Sequence, residues 1–456
     1  FFTMTLPAYF LADLPPDAEL TAQLIVEASQ TLKRNRARYL ADRSTAQLVA
    51  LLDRVGRDWL DPGYPLRQLA LAEGPNALGF SRETLATGLD DFFRQLTAEN
   101  LHRLLRQDLG AAEALDHPVV LDSTGEPRRR TLAVGPEFLV HIAAGNLPNP
   151  TLTSMVLGLL TRAAQFVKCA TGTALLPQLF AHSLYAADAK LGACLEVAVW
   201  PGGCARLETP LFAAADCLTA TGSDATLAAL RAQLSPATRF LGYGHRVSFA
   251  CVAGDALTGG RARQLARAAA VDVAAWDQLG CLSPQVIYVT QGNGLAADQF
   301  AELLAEELAA REQTHPRGRL PTDLAATLAS RRAFYAVRAA HSGDTRVWQS
   351  PESTAWTVVY EADPQFQSSC GYRWVYVKPA PDLTAVLHGA DAVRGQISTV
   401  GLAAPEEQAA AWMTTLARWG VSRVCPLGRM QQPPLTWRHD GRPALGELIT
   451  WTDWED

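Results

Sequence analysis

From about residue 131 to the C-terminal tail, short β-rich runs alternate with helical runs, and this limits the folds open to the chain more than any other feature. The first series runs through 137–142, 151–163, 165–169, 174–190, 195–200, 217–221, 225–234 and 239–241. A parallel strand can be reached only through a crossover, so such alternation builds βαβ units around a parallel sheet. Sheets of this kind are the usual platform for a nucleotide cofactor. A second series follows, with 247–252, 261–271, 285–290, 300–310, 324–340, 357–360, 374–377 and 409–419. Its segments are longer and its strands more spread out, which places a domain boundary near 245. The Ala/Leu-rich tracts read as helix faces, and no internal repeat of solenoid period is present.

Before residue 131 the pattern is helical, over 20–52 and again over 82–109, where Leu85, Leu89, Phe92, Phe93 and Leu96 recur at three- and four-residue spacing. Between them Asp61-Pro62-Gly63-Tyr64-Pro65 is a breaker. The 456 residues suffice for two or three domains with their own cores. Hydrophobic residues at 48% with charged ones at 19% exclude a disordered chain. A net charge of -6, with no basic block longer than Arg128-Arg129-Arg130, argues against nucleic acid as a partner. Eight scattered cysteines without a C-x-x-C pair predict a reduced, cytoplasmic protein and no structural zinc or other metal. No apolar run approaches the ~18 residues of a membrane span. The opening Phe1-Phe2-Thr3-Met4 lacks the basic region of a signal peptide, and Met4 is read as a native start.

Three features carry candidate chemistry. Gly292, Gly294 and Ala297, with Glu312 further on, fit a dinucleotide fingerprint, but they lie in the second series, where a plain turn explains them better. Cys194, Cys217 and Cys251 sit in or beside apolar strands and read as inert. Cys281 instead lies in a loop before a strong strand, with Gly280 on one side and Pro284 beyond. Loops at strand ends hold the reacting groups of α/β enzymes, and a neighbouring glycine admits a substrate carbonyl. Position alone leaves both a nucleophile and an inert thiol open. In Gly145-Asn146-Leu147-Pro148-Asn149-Pro150, Asn146 is either a turn residue at a helix start or an amide that donates to a developing oxyanion.

Taken in order, these segments resemble the aldehyde dehydrogenase superfamily. Gly145-Asn146-Leu147-Pro148 followed by Val167-Lys168-Cys169-Ala170-Thr171 is similar to its Trp-Asn-Phe-Pro to Lys-Pro-x-Glu segment. Trp200-Pro201-Gly202-Gly203 resembles its glycine turn, and Thr219-Ala220-Thr221-Gly222-Ser223 its Phe-Thr-Gly-Ser turn. Gly280-Cys281 before Gln285-Val286-Ile287-Tyr288-Val289 resembles its catalytic cysteine and the strand after it. Pro351-Glu352 resembles its cofactor-binding glutamate. Gly242-Tyr243-Gly244-His245-Arg246, Asp277-Gln278-Leu279-Gly280-Cys281 and Arg423-Val424-Cys425-Pro426-Leu427-Gly428-Arg429-Met430 point to one branch, the acyl-CoA reductases of bacterial luminescence fatty acid reductase complexes.

The resemblance implies an α/β, aldehyde dehydrogenase-like fold. Its expected parts are a helical N-terminal region over 1–130 packed on the cofactor domain, a Rossmann-type nicotinamide domain over 131–245, an α/β catalytic domain over 246–428 and a C-terminal tail over 429–456. It implies NADPH-dependent reduction of a fatty acyl-CoA or acyl-carrier thioester to an aldehyde. Cys281 would carry the acyl group, and Asn146 with the Cys281 N–H would hold the oxyanion. Lys168, Thr171, Gly202, Thr221, Gly222, Ser223 and Glu352 would bind the cofactor. It further implies a homo-oligomer, working beside acyl-protein synthetase and transferase subunits. In place of the hydrolytic members' Glu-Leu-Gly-Gly-Lys stands Gly242-Tyr243-Gly244-His245-Arg246, without a carboxylate. That departure favours thioester reduction over aldehyde oxidation, and over a non-catalytic scaffold the intact set of Cys281, Asn146, Lys168 and Glu352 favours an enzyme.

Overall fold

The computed structural model describes residues 6–15, 17–121, 129–143, 145 and 147–455. Met4 and Asn146 lie outside the described residues. Among the described residues five α-helices precede the first sheet. In α1 (Ala22–Tyr39) the Thr21 hydroxyl accepts from the Leu24 N–H, and α2 (Thr45–Leu60) opens on a capping box between Ser44 and Gln47. That box divides the stretch 20–52, which the apolar spacing alone reads as continuous. α3 (Pro65–Leu78) is a helix that the sequence pattern misses. Pro65 ends the breaker, yet it occupies the first helical turn, where a missing N–H costs nothing. α4 (Arg82–Phe93) and α5 (Ala98–Leu109) are capped by Ser81 and Thr97.

The buried faces of α2 to α5 and one face of the first sheet form a single core, in which Leu52, Leu89, Phe93 and Leu104 meet Leu152, Val156 and Phe180, while Ile25 and Leu32 of α1 pack with Phe138, Val140 and Phe166. Trp59 stacks on Phe93 at 4.7 Å, and Trp276 belongs to the same core. Gly88 of α4 lies against Trp276 so closely that a Cβ there would fall inside the indole ring. The N-terminal helices therefore brace a segment almost two hundred residues further on, just before Cys281.

The strands are β1 (Arg129–Val134), β2 (Phe138–Ile142), β3 (Ala164–Cys169), β4 (Leu195–Val199), β5 (Cys217–Thr221), β6 (Arg239–Tyr243), β7 (Val247–Val252) and β8 (Pro284–Thr290). They continue with β9 (Thr345–Gln349), β10 (Thr357–Glu361), β11 (Trp374–Ala380), β12 (Ile397–Ala403), β13 (Val424–Pro426) and β14 (Thr450–Glu455). The first sheet is parallel throughout, in the order β4-β3-β2-β5-β6. The second has the order β13-β12-β7-β8-β11-β10-β9, and only β9 runs antiparallel to its neighbour. The chain changes sheet between Tyr243 and Val247. β1 and β14 pair antiparallel in a separate two-stranded arm, with Arg129 opposite Glu455. Among the described residues no helix is long and apolar enough to cross a membrane.

Candidate active site

Most of the residues singled out from the sequence gather at the carboxyl ends of β3, β4 and β5. Lys168 stands next to the end of β3 and is buried. Its ammonium lies 5.9 Å from the Trp200 ring centroid and makes no hydrogen bond among the described residues. Burial pulls its pKa down, against the opposing pull of Glu208. Thr171 and Gly202 are exposed in the loops after β3 and β4, and Thr221 ends β5. Gly222 and Ser223 lead into the helix Asp224–Gln233, and the Ser223 hydroxyl caps it by accepting from the Thr226 N–H at 3.2 Å. The strand order reverses between β2 and β5, and crevices outside the carboxyl ends at such a point are where α/β sheets take ligands.

Glu352 is placed apart from this group. It is exposed, has φ +53°, and lines a shallow recess with Arg332 between β9 and β10, away from the cavity at Cys281. Arg332 organises that loop, donating to Thr357 Oγ1 at 2.8 Å, Ser350 Oγ at 3.0 Å and the Trp356 carbonyl at 2.6 Å. Gly292 and Gly294 sit in a turn packed on the backbone of Gly254 and Leu257, a close approach between loops that leaves no room for a side chain. The turn reading holds for them.

The approach to Cys281 is unusual backbone. Trp276, Asp277 and Gln278 take φ of 51°, 49° and 62° in succession, a left-handed run that side chains rarely adopt. Each such residue costs on the order of 1–3 kcal/mol and persists only where its surroundings impose it. Here the buried Arg373 imposes it. Its Nε donates to Asp277 Oδ1 at 3.1 Å, and its Nη1 donates to Glu312 Oε2 at 2.6 Å and to the His315 carbonyl at 2.8 Å. Asp277 Oδ2 also accepts from the Gly318 N–H at 3.0 Å, and the Asp277 carbonyl accepts from the Tyr372 N–H at 2.8 Å. Beyond the turn, Ser248 donates to the Cys281 carbonyl at 2.6 Å, and its own oxygen accepts from the Thr399 N–H at 3.1 Å. The Cys281 loop is thus tied to β7 and β12 on one side and to the Arg373 network on the other.

Cys281 opens on a cavity of about 190 Å³ that lies between the two sheets and the N-terminal helices. Its walls are largely apolar, with Phe92 and Leu96 from the N-terminal region, Leu147 and Leu157 from the segment after β2, Trp276 and Leu435. Thr221 reaches the same cavity, whereas Lys168, Thr171, Gly202, Ser223 and Glu352 do not line it. Sequence reasoning missed the contribution of α4 and of the tail segment, from which Gln431, Trp437 and His439 come. No local motif marks them, because the contacts span more than three hundred residues.

The electrostatics of the cavity also differ from those the stretch 242–246 suggests. Asp440 in the tail pairs with Arg246 at 3.3 Å and its charge reaches Cys281, although the carboxylate residue that lines the cavity itself is Asp91. His245 is exposed, and its N–H donates to Asp224 Oδ1 at 3.1 Å. Burial pushes the Cys281 thiol up to about 11, and the Asp440 charge adds to this while Ser398 and Arg246 oppose it. The thiolate is therefore scarce at neutral pH and grows as pH rises. Alkylation of Cys281 by iodoacetamide should accelerate about tenfold per pH unit from 7 to 9. A rate already level at pH 7, read by mass spectrometry of the Cys281 peptide, would contradict the raised pKa.

The family model described as acyl-CoA reductase (LuxC) matches residues 40–451. The chain is similar to the long-chain acyl-protein thioester reductase of Aliivibrio fischeri, 23% identical over 457 residues, which span 98% of this chain and 90% of that one. Among solved structures it is similar to an NAD-dependent benzaldehyde dehydrogenase from Corynebacterium glutamicum, with a TM-score of 0.70 and 16% identity over 96% of this chain and 90% of that one. It is also similar to a bifunctional proline utilization A protein, with a TM-score of 0.71 and 16% identity over 96% of this chain, which spans only 45% of that protein's length. The fold is aldehyde dehydrogenase-like.

Proposed function

The chain belongs to the acyl-CoA reductase (LuxC) family, and from that premise we propose that it reduces a long-chain fatty acyl thioester to the aldehyde with NADPH, through an acyl group held on Cys281. The observation that carries this reading is the placement of Cys281, at the end of an imposed left-handed turn and on the wall of an apolar cavity. The relative from Aliivibrio fischeri is named for acting on long-chain acyl-protein thioesters, and a cavity walled by Phe92, Leu96, Leu157 and Leu435 suits an alkyl chain.

In this reading the Cys281 sulfur attacks the thioester carbonyl and the carrier thiol departs. One thioester is exchanged for another, so the step is near thermoneutral. The Cys281 N–H and the Asn146 amide donate to the oxyanion. The fit of a nicotinamide dinucleotide rests on two observations. The buried Lys168 ammonium makes no hydrogen bond among the described residues, and at Gly202 and Gly203 even an added Cβ would meet open space, leaving the backbone free for close approach. Bound there, a reduced nicotinamide would supply a hydride to the acyl carbon, and the Cys281 N–H and Asn146 amide would hold the resulting thiohemiacetal oxyanion. Cys281 then releases the aldehyde as the carbon–sulfur bond breaks.

The test is to mix the protein with acyl-CoA and NADPH and follow the nicotinamide absorbance alongside the aldehyde. Equal loss of NADPH and gain of aldehyde is expected, and no consumption would sink the reading. NADPH should be preferred to NADH. Thr171 stands where the superfamily's Lys-Pro-x-Glu segment has a glutamate, and its hydroxyl can donate to a 2'-phosphate that a carboxylate would repel. Thr171→Glu should therefore shift the ratio of kcat/KM towards NADH by roughly tenfold, the size of a ~1.4 kcal/mol repulsion. An unchanged ratio in competing titrations would show that Thr171 does not face the ribose.

A further inference from the structure

The tail residues at the cavity form an arrangement that the reduction of a thioester has not yet used. His439 lines the same cavity as Cys281. Its ring is held between two others, stacked on Tyr243 at 4.6 Å with 10° between the planes, and tilted against Trp437 at 4.6 Å. Neither ring nitrogen makes a hydrogen bond among the described residues, although Nε2 lies 3.9 Å from Asp440 Oδ1. The Asp440 carboxylate is buried, with 8% of its side chain exposed, and neither oxygen accepts a hydrogen bond among the described residues. Its countercharge is Arg246 at 3.3 Å. Asp440 also holds φ +53°, an uncommon conformation for a side-chain-bearing residue.

The surroundings keep these two residues in place. Asp272 accepts from the Met430 N–H at 3.0 Å, and Arg423 donates to the Met430 carbonyl at 2.7 Å. Arg442 donates to the Gly242 carbonyl at 3.0 Å and lies over the Tyr243 ring at 4.4 Å. The charged and titratable groups facing His439 are Asp440 and Arg442 on its own segment and Tyr243 and Arg246 across from it. Asp440, Arg246 and Arg423 act on the Cys281 thiol. Burial holds the imidazole below its ordinary value, with Asp440 opposing and Arg442 and Arg246 adding to the effect, so near pH 7 it is neutral and able to accept a proton.

We propose that His439 is the proton-transfer residue of the Cys281 site, with Asp440 as the charge that steadies its protonated form. The role rests on the thioester reading above. As the Cys281 sulfur bonds to the acyl carbon, its S–H bond breaks and the proton passes to His439. As the carbon–sulfur bond to the carrier breaks, the departing thiolate takes that proton back. No electrons are exchanged, and the imidazole ends the acyl transfer neutral, as it began.

The test is single-turnover acylation by radiolabelled acyl-CoA between pH 6.5 and 10. His439→Phe keeps a ring between Tyr243 and Trp437, and His439→Gln is the second variant in case that ring disturbs the fold. Both should acylate about 10²- to 10⁴-fold more slowly at pH 7, the usual worth of general acid–base help. The deficit should shrink as pH rises, because the thiolate then forms unaided. Asp440→Asn should fall between them and the parent. A loss that is the same at every pH, or no loss, would mean that the ring only packs and would overturn the role of His439 alone. An unmodified protein that takes no label at Cys281 would overturn the acyl-enzyme reading and this role with it.

Discussion

Cys281→Ala should lower turnover with acyl-CoA and NADPH by on the order of 10³-fold or more, and should abolish covalent labelling by radioactive acyl-CoA. No other cysteine lines the cavity, so no neighbour can replace it there. Cys169 is the informative control. It ends β3 close to Lys168 in sequence, but it is fully buried and burial pushes its thiol up to about 12. Cys169→Ala should therefore still form the acyl-enzyme. Label that persists on the Cys281→Ala protein would remove the proposed chemistry, whatever the turnover.

The second large effect concerns stability. Arg373→Met should destabilise the protein by about 3–5 kcal/mol in urea, because it leaves Asp277 buried without its countercharge. Asp277 is already held above the ordinary carboxylate range by burial, which the Arg373 guanidinium only partly offsets. The left-handed run 276–278 would then lack what imposes it, so the folded fraction should also acylate more slowly. A double variant, Arg373→Met with Asp277→Asn, should recover part of the stability but not the acylation rate. A single variant that unfolds at the parent's urea midpoint would show that the turn is held by other contacts, such as Trp276 against Gly88.

The sequence makes the βαβ series legible because its strands are short, mostly apolar and separated by strong helical periods. β2, β3, β5 and β8 fall within a residue or two of the runs 137–142, 165–169, 217–221 and 285–290. β12 escapes notice although it is buried and paired on both sides. Its Ser398, Thr399 and Gly401 dilute the apolar pattern, and Gly401 is there because the Met430 sulfur occupies the space of a side chain. α3 escapes for the opposite reason, since a proline that signals a break also begins a helix. At the site, the loop of Cys281 can be seen locally, as glycine, cysteine and a following strand. Asp440 and His439 cannot, because what makes them notable is the company they keep across the fold, and no spacing in the sequence records it.

The tail has a consequence for how the molecule is built in time. Gln432 binds Asp91 across 341 residues, Leu445 binds Asp108, and β14 pairs with β1, so the last stretch of chain closes against the first hundred or so residues. Contacts of such long sequence separation form late, because loop closure comes before any compensating interaction. On a ribosome both sheets have most of their strands before residues 431–439 emerge. Until then Phe92, Leu96 and Leu147 line an open apolar trough rather than a cavity. A nascent chain thus passes through an interval in which this apolar groove is uncovered, and the same segment that covers the groove also carries His439 to it.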